Sequence, residues 1–179
     1  MATITVRRSG ERLVDGSAVR AFLADNGVLY EHWDTGQIPP RLQNVFALSP
    51  QDKEEILGSL RTEIERLAHA RGYVKWDVIS LSEATPDLDA LLRKFEQVHT
   101  HTEDEVRVIT AGSGVFIIKG RDGGYFDVGL TPGDVISVPE NNPHFFTLTP
   151  ERRVVAIRLF VDPSGWVAHP FADAEFQPA

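Results

Sequence analysis

The stretch VHTHTEDEVRVITAGSG, residues 98–114, carries His99 and His101 one residue apart and Glu105 four residues further on. At this spacing in an extended chain both imidazoles lie on one face and can converge on a single ion. Glu105 is far enough along to turn back to that ion before the strand EVRV begins. The fourth donor has to come from elsewhere, and His144 suits because it follows the turn VPENNP at the start of another strand. Three imidazoles and a carboxylate fit a first-row divalent metal such as Fe, Ni, Co or Mn. Four protein donors on an octahedral ion leave two positions for a substrate that chelates through two oxygens. An isolated HxH is more often two solvent-facing strand histidines. Here the downstream Glu, the distant His in a strand-turn context and the run of short strands favour the metal.

Other chemistries are poorly supplied. The chain has no cysteine, which excludes disulfides, thiolate ligands and a Cys nucleophile. No serine sits in an elbow such as GxSxG, and the glycines of GSG and DGG read as hairpin turns rather than a phosphate cradle. His32, in a connection, and His69, on a helix, read as surface or boundary residues, and His169, in VAHPF near the C-terminus, has a small chance of approaching the site. A net charge of -8 argues against a nucleic-acid partner, which needs clustered Lys and Arg to neutralise phosphates. No apolar run reaches the length of a signal peptide or membrane span, so a cytoplasmic protein is expected.

The elements that must position these residues are legible in outline. With 179 residues, 42% hydrophobic and 25% charged, the chain fits one globular domain, 1–179. Residues 1–97 read as helical and irregular. Ser17 can cap a short helix with Val19, Phe22 and Leu23 on its apolar face and Gly27 at its end. Residues 31–48 contain adjacent prolines and no sustained period, which reads as a long surface connection. Ser49-Pro50 begins a helix with Leu57, Leu60, Ile64 and Leu67 in one stripe, stopped by Gly72; Thr85-Pro86-Asp87 begins another bearing Leu88, Leu91, Leu92 and Phe95.

From residue 98 to 168 the pattern changes to period two. Strands are expected at 105–111, 114–120, 124–130, 134–139, 144–149 and 153–161, separated by GSG, RDGG, TPGD and ENNP, with one more at 73–81 between the helices. That spacing predicts a mainly β chain with N-terminal helices: an antiparallel β-barrel or jelly roll.

Two segments resemble a known superfamily. HTHTEDEVRVITAG is similar to the first cupin motif, with HxH, Glu105 and Gly112 in place, and GDVISVPENNPH to the second, with Gly133, Pro139 and His144. Arg93 stands where the first motif often begins with Gly, Asn141 replaces a Gly of the second, and Leu148 replaces its Asn. Within cupins, GYVKWDVISL, LRKFEQVHTHTEDEVR, DVISVPENNPHFF and AIRLFVDPSGWVA resemble the acireductone dioxygenase family of methionine salvage.

The resemblance implies a cupin-type barrel holding one Fe(II) or Ni(II) per chain on His99, His101, Glu105 and His144. It implies a role for Arg107 in forming the substrate dianion, and a substrate pocket lined by Phe95, Phe146, Arg158 and Trp166. Arg107 lies two residues beyond Glu105 and so shares its inward face. Val98 departs from the Glu that tends to precede the first His in bacterial members. The implied reaction joins an enediol, 1,2-dihydroxy-3-keto-5-methylthiopentene, with O₂. The iron form gives 2-keto-4-methylthiobutyrate and formate, the nickel form methylthiopropionate, formate and CO. A monomer is expected, with a dimer through an exposed sheet edge as the alternative. The competing readings are a cupin dioxygenase opening a diketone or flavonol, a metal-dependent sugar isomerase, and a non-enzymatic cupin that binds a ligand or metal.

Overall fold

The computed structural model describes residues 1–162 and 167–173, folded as two antiparallel sheets with helices packed against both. The first sheet contains β1 (Thr3–Val6), β2 (Arg12–Leu13), β5 (His99–Thr100), β7 (Gly114–Lys119), β8 (Tyr125–Leu130), β10 (His144–Leu148) and β12 (His169–Pro170), in the order β12-β5-β10-β7-β8-β1-β2. The second contains β3 (Leu29–His32), β4 (Lys75–Leu81), β6 (Glu105–Gly112), β9 (Asp134–Val138) and β11 (Val154–Phe160), in the order β3-β9-β6-β11-β4. The chain is thus mainly β, as its alternating pattern predicts, with the strands hydrogen-bonded as two sheets rather than one closed ring.

Period-two alternation decides what each face does. On β6 and β11, Ile109, Val154 and Ala156 point inward and meet Phe116, Phe126, Val128 and Phe146 of the other sheet. Val106, Val108, Val155, Ile157 and Leu159 point outward under the helices α2 (Pro50–Ser59) and α3 (Arg61–Arg71), against Ile56, Leu60, Ile64 and Leu67. The second sheet is therefore apolar on both faces, which explains the near-continuous hydrophobic runs of its strands. A bulge between Val155 and Ala156 shifts the register against β6. Ala111 beyond it then joins the outer cluster, while Ile109 before it stays in the inner one.

Several expectations are corrected. Residues 1–97 contribute strands to both sheets: β1 pairs with β8, and β3 pairs with β9. Their brevity, four residues each, hid them, because it leaves little alternation to read. The connection 31–48 is not merely surface: Trp33, Ile38 and Leu42 are buried against the outer face of the second sheet. His32 ends β3 and places Nδ1 3.1 Å from the buried Asp134, which also accepts from Tyr30 Oη at 2.6 Å and Thr131 N at 2.8 Å.

The helix α1 (Gly16–Asp25) is capped by Asp15 rather than Ser17, the carboxylate accepting from Ala18 N. The Ser49 cap is present as a reciprocal box with Asp52, but the helix it starts breaks at Leu60, giving α2 and α3. Gly58 and Ser59 weaken the last turn of α2, and Ser59 Oγ bonds back to the Glu55 carbonyl. The fourth helix, α4 (Leu88–Phe95), packs on β10 and sets Leu88 and Leu92 into the inner cluster.

Both motif glycines are sterically required. At Gly112, φ is +71° and an added Cβ would lie 2.2 Å from the Arg153 carbonyl oxygen; at Gly133, φ is +97° and the clash is with the Trp33 carbonyl at 2.6 Å. Asn141, in place of a motif glycine, has φ +60°, a left-handed conformation that Asn tolerates better than most side chains. Among the described residues no helix is long and apolar enough to cross a membrane.

Candidate metal centre

The four donors expected from spacing meet. One ligand atom each from His99, His101, Glu105 and His144 lies within 4.8 Å of all the others, and all four residues are buried. Backbone pairing brings them together: His144 on β10 sits opposite His99 on β5, while Glu105 opens β6 on the facing sheet. His99 Nε2 is 3.2 Å from His101 Nε2, and Glu105 Oε2 is 3.1 Å from His101 Nε2 and 2.5 Å from His144 Nε2.

The outward side of each ring is also held. Nδ1 of His99 donates to the Gln97 carbonyl at 2.6 Å, that of His144 to the Asn142 carbonyl at 2.7 Å, and that of His101 to the Val167 carbonyl at 3.1 Å. A carbonyl can only accept, so each Nδ1 carries the hydrogen and each Nε2 is the atom turned to the centre. Three such nitrogens and a carboxylate, crowded together without intervening donors, form a donor set that suits a divalent ion of N/O preference.

Burial and neighbouring charge pull the rings in opposite directions. Burial, reinforced by nearby His144, pushes His99 down to about 4, so its imidazole is neutral at ordinary pH. Burial also works to lower His101, but the hydrogen bond and charge of Glu105 outweigh it and leave His101 raised. Burial would raise Glu105; Arg107 first, then His144 and His101, more than compensate and hold it well below the usual carboxylate range. Arg107 donates from Nε to Glu105 Oε1 at 3.0 Å, with Nη2 2.9 Å from the same oxygen. It therefore points inward, as parity predicts, and pairs with Glu105 rather than with Glu103 or Asp104. Those two acids serve elsewhere: Glu103 accepts from the Val161 and Asp162 amides, and Asp104 from Arg71 and Tyr73.

A cavity of about 210 Å³ adjoins the cluster, lined by His99, His101, Glu105 and Arg107 together with Lys94, Phe95, Phe146, Arg158 and Ala168. Three of the four residues expected in a substrate pocket, Phe95, Phe146 and Arg158, thus stand beside the donors; Trp166 lies outside the described residues. The Arg107 guanidinium sits 4.9 Å from the Phe146 ring centroid. Arg158 is opposite Arg107 across β6 and β11 and makes a two-pronged bond with Asp77 on β4, at 2.8 and 2.5 Å.

Lys94, Asp77 and the three orienting carbonyls had no signal in the sequence. Backbone acceptors carry no residue signature, and Asp77 is recognisable only through strand register. Val98 turns its side chain outward, against the cluster of Ile117, Tyr125 and Phe145, and so neither supplies nor displaces a ligand.

Comparison with known proteins decides the family. The model of the ARD/ARD′ family matches residues 34–168. The chain belongs to the acireductone dioxygenase family. It is 60% identical over 176 residues to the acireductone dioxygenase of Geobacillus kaustophilus, covering 98% of each chain, and 52% identical over 167 residues to that of Bacillus cytotoxicus, covering 93% and 98%. A solved structure described as acireductone dioxygenase from Bacillus anthracis with cadmium ion in active center superposes with a TM-score of 0.92 at 49% identity, covering 94% of this chain and 97% of that one. Membership makes this chain a metal-binding dioxygenase of cupin fold. The four-donor cluster is a group that could hold a metal ion.

Proposed function

We propose that this chain cleaves acireductone, 1,2-dihydroxy-3-keto-5-methylthiopentene, with O₂ in methionine salvage, working in the cytoplasm with one Fe(II) or Ni(II) held by His99, His101, Glu105 and His144. The observation that carries the proposal is the pairing of this donor set with Arg107 at the wall of an aromatic-lined cavity. A bound divalent ion would supply a Lewis-acid and redox centre for the two enediol oxygens.

The residues account for the rest. Glu105 and Arg107 cancel in charge, so the occupied site would carry the two positive charges of the ion, the complement of a dianion. Arg107 thereby favours loss of the second enediol proton. Its own burial, with Glu105 and the Phe146 ring around it, keeps that charge unscreened by water. Phe95 and Phe146 offer an apolar wall to the thioether tail, where each buried methylene is worth roughly 0.8 kcal/mol. Arg158, steered by Asp77, places a second guanidinium at the cavity for the substrate's polar end.

The test is an aerobic assay of Fe(II)-loaded protein with freshly generated acireductone, scoring loss above spontaneous oxidation and identifying products. Rapid loss to 2-keto-4-methylthiobutyrate and formate is expected, and the Ni(II) form should yield methylthiopropionate, formate and CO. No acceleration by fully loaded protein would overturn the assignment.

A further inference from the structure

The three histidines are held differently. His99 and His144 each donate Nδ1–H to the carbonyl two residues earlier, so whatever places the ring also places its acceptor. The acceptor of His101 is Val167, 66 residues away on the segment 167–173 that crosses the site. The orientation of one imidazole therefore depends on how firmly this strap is docked.

Apolar burial does little of that docking. Val167 is 55% exposed and Phe171 37%, and His169 and Pro170 are exposed as well. β12 pairs with β5 over two residues, one of them a proline without an amide hydrogen, and Phe171 N adds a bond to the Val98 carbonyl at 3.0 Å. So short a strand with so little buried surface opens at small free-energy cost.

Its far end carries the exception. The Asp173 carboxylate, with its side chain only 10% exposed, accepts from Lys119 Nζ at 2.6 Å and Tyr125 Oη at 3.0 Å. The Lys119 ammonium also lies 5.3 Å from the Phe171 ring centroid. Lys119 and Tyr125 belong to β7 and β8 of the rigid sheet, directly opposite each other in register.

We propose that Lys119, Tyr125 and Asp173 form a latch that fastens the C-terminal strap to the sheet and thereby positions His101 as a metal ligand. They are positioning residues: none of them lines the cavity, and they act through the Val167 carbonyl. The inference rests on the reading of His101 as a ligand, and on nothing about the substrate.

The test uses full-length protein and Co(II). Asp173→Asn and Lys119→Met are compared with wild type, with Asp127→Asn, which removes an ion pair between β8 and Arg7 outside the latch, as control. Competition with a chromophoric chelator should show Co(II) affinity reduced about tenfold in both latch variants, the lower end of what losing a ligand's outer partner costs. The control should match wild type. Proton NMR of the Co(II) forms should show three shifted ring N–H signals in wild type, and in the latch variants one of them, that of His101, lost to solvent exchange. A purely structural role would not single out one ring. Asp173→Asn is isosteric and carries the test by itself if Lys119→Met folds poorly. Wild-type affinity in the latch variants, or three unchanged ring signals, would overturn the latch. If wild type failed to bind Co(II), the ligand assignment would fail first and take the latch with it.

Discussion

The space between the sheets has two ends built on the same strand faces. At one end Ile109 of β6 and Val154 and Ala156 of β11 share one apolar cluster with Val128 and Leu130 of β8. At the other, Glu105, Arg107 and Arg158, the next inward positions on those strands, open into the cavity beside the histidines. Alternation is identical at both ends; what differs is whether each buried group brings a partner. The apolar end needs none, whereas each buried charge at the other end is paired and each imidazole is bonded on its outer side. Apolar packing is concentrated at the first end and chemistry at the second.

Substitutions can break that division. The largest effect is expected from Glu105→Ala, which removes a donor and the carboxylate that neutralises buried Arg107. Loss of the bound ion should accompany a stability loss of about 3–5 kcal/mol. Metal content and denaturant unfolding would read both, and a stable variant that still bound one ion would show the two ends to be less distinct. Leu130→Ala, at the apolar end, should cost about 2–5 kcal/mol in the same unfolding experiment. It should still bind one ion per chain, and loss of metal there would mean that the core sets the donor geometry directly.

Arg107→Ala sharpens the contrast within the polar end. Turnover should fall by about 10²–10³, the scale of removing one aimed electrostatic stabiliser, while the ion is retained. Unchanged turnover at full metal loading would remove Arg107 from the chemistry. Outside both ends, Ser49→Ala should cost about 1 kcal/mol by breaking the capping box of α2, with metal and activity unaffected.

The smallest effect concerns pH. Burial first, then the hydrogen bond to Asp134, raises the Tyr30 hydroxyl from 10.0 to about 12. A raised folded-state value stabilises fully below pH 10.0 and is lost as pH climbs towards about 12. Denaturant midpoints across that window should fall more steeply in wild type than in Tyr30→Phe; equal slopes would mean that β3 is not held to β9 by this hydroxyl.

The site was far more legible than its setting. HxH, Glu105 and His144 could be read as donors because ligand chemistry restricts residue type and an extended chain restricts spacing. The strands from residue 105 onward were legible because their faces alternate. β1 and β3 were not, since a strand of four residues leaves little periodic trace. The packing of Trp33, Ile38 and Leu42 was hidden by the prolines of the same segment, which mark irregular backbone but say nothing about burial. The break at Leu60 was missed because the apolar stripe continues through it in register.

Sequence by itself determined which four residues are the candidate donors, the inward parity of Arg107 and the mainly β architecture, because each follows from residue chemistry or from the two-residue repeat of a strand. Tertiary structure alone decided that Arg107 spends its charge on Glu105, that Asp77 steers Arg158, and that His101 takes its orientation from a carbonyl 66 residues away. Those are contacts between groups distant in the chain, and the backbone carbonyl, the same in every residue, leaves no mark in a sequence until folding brings it to its partner.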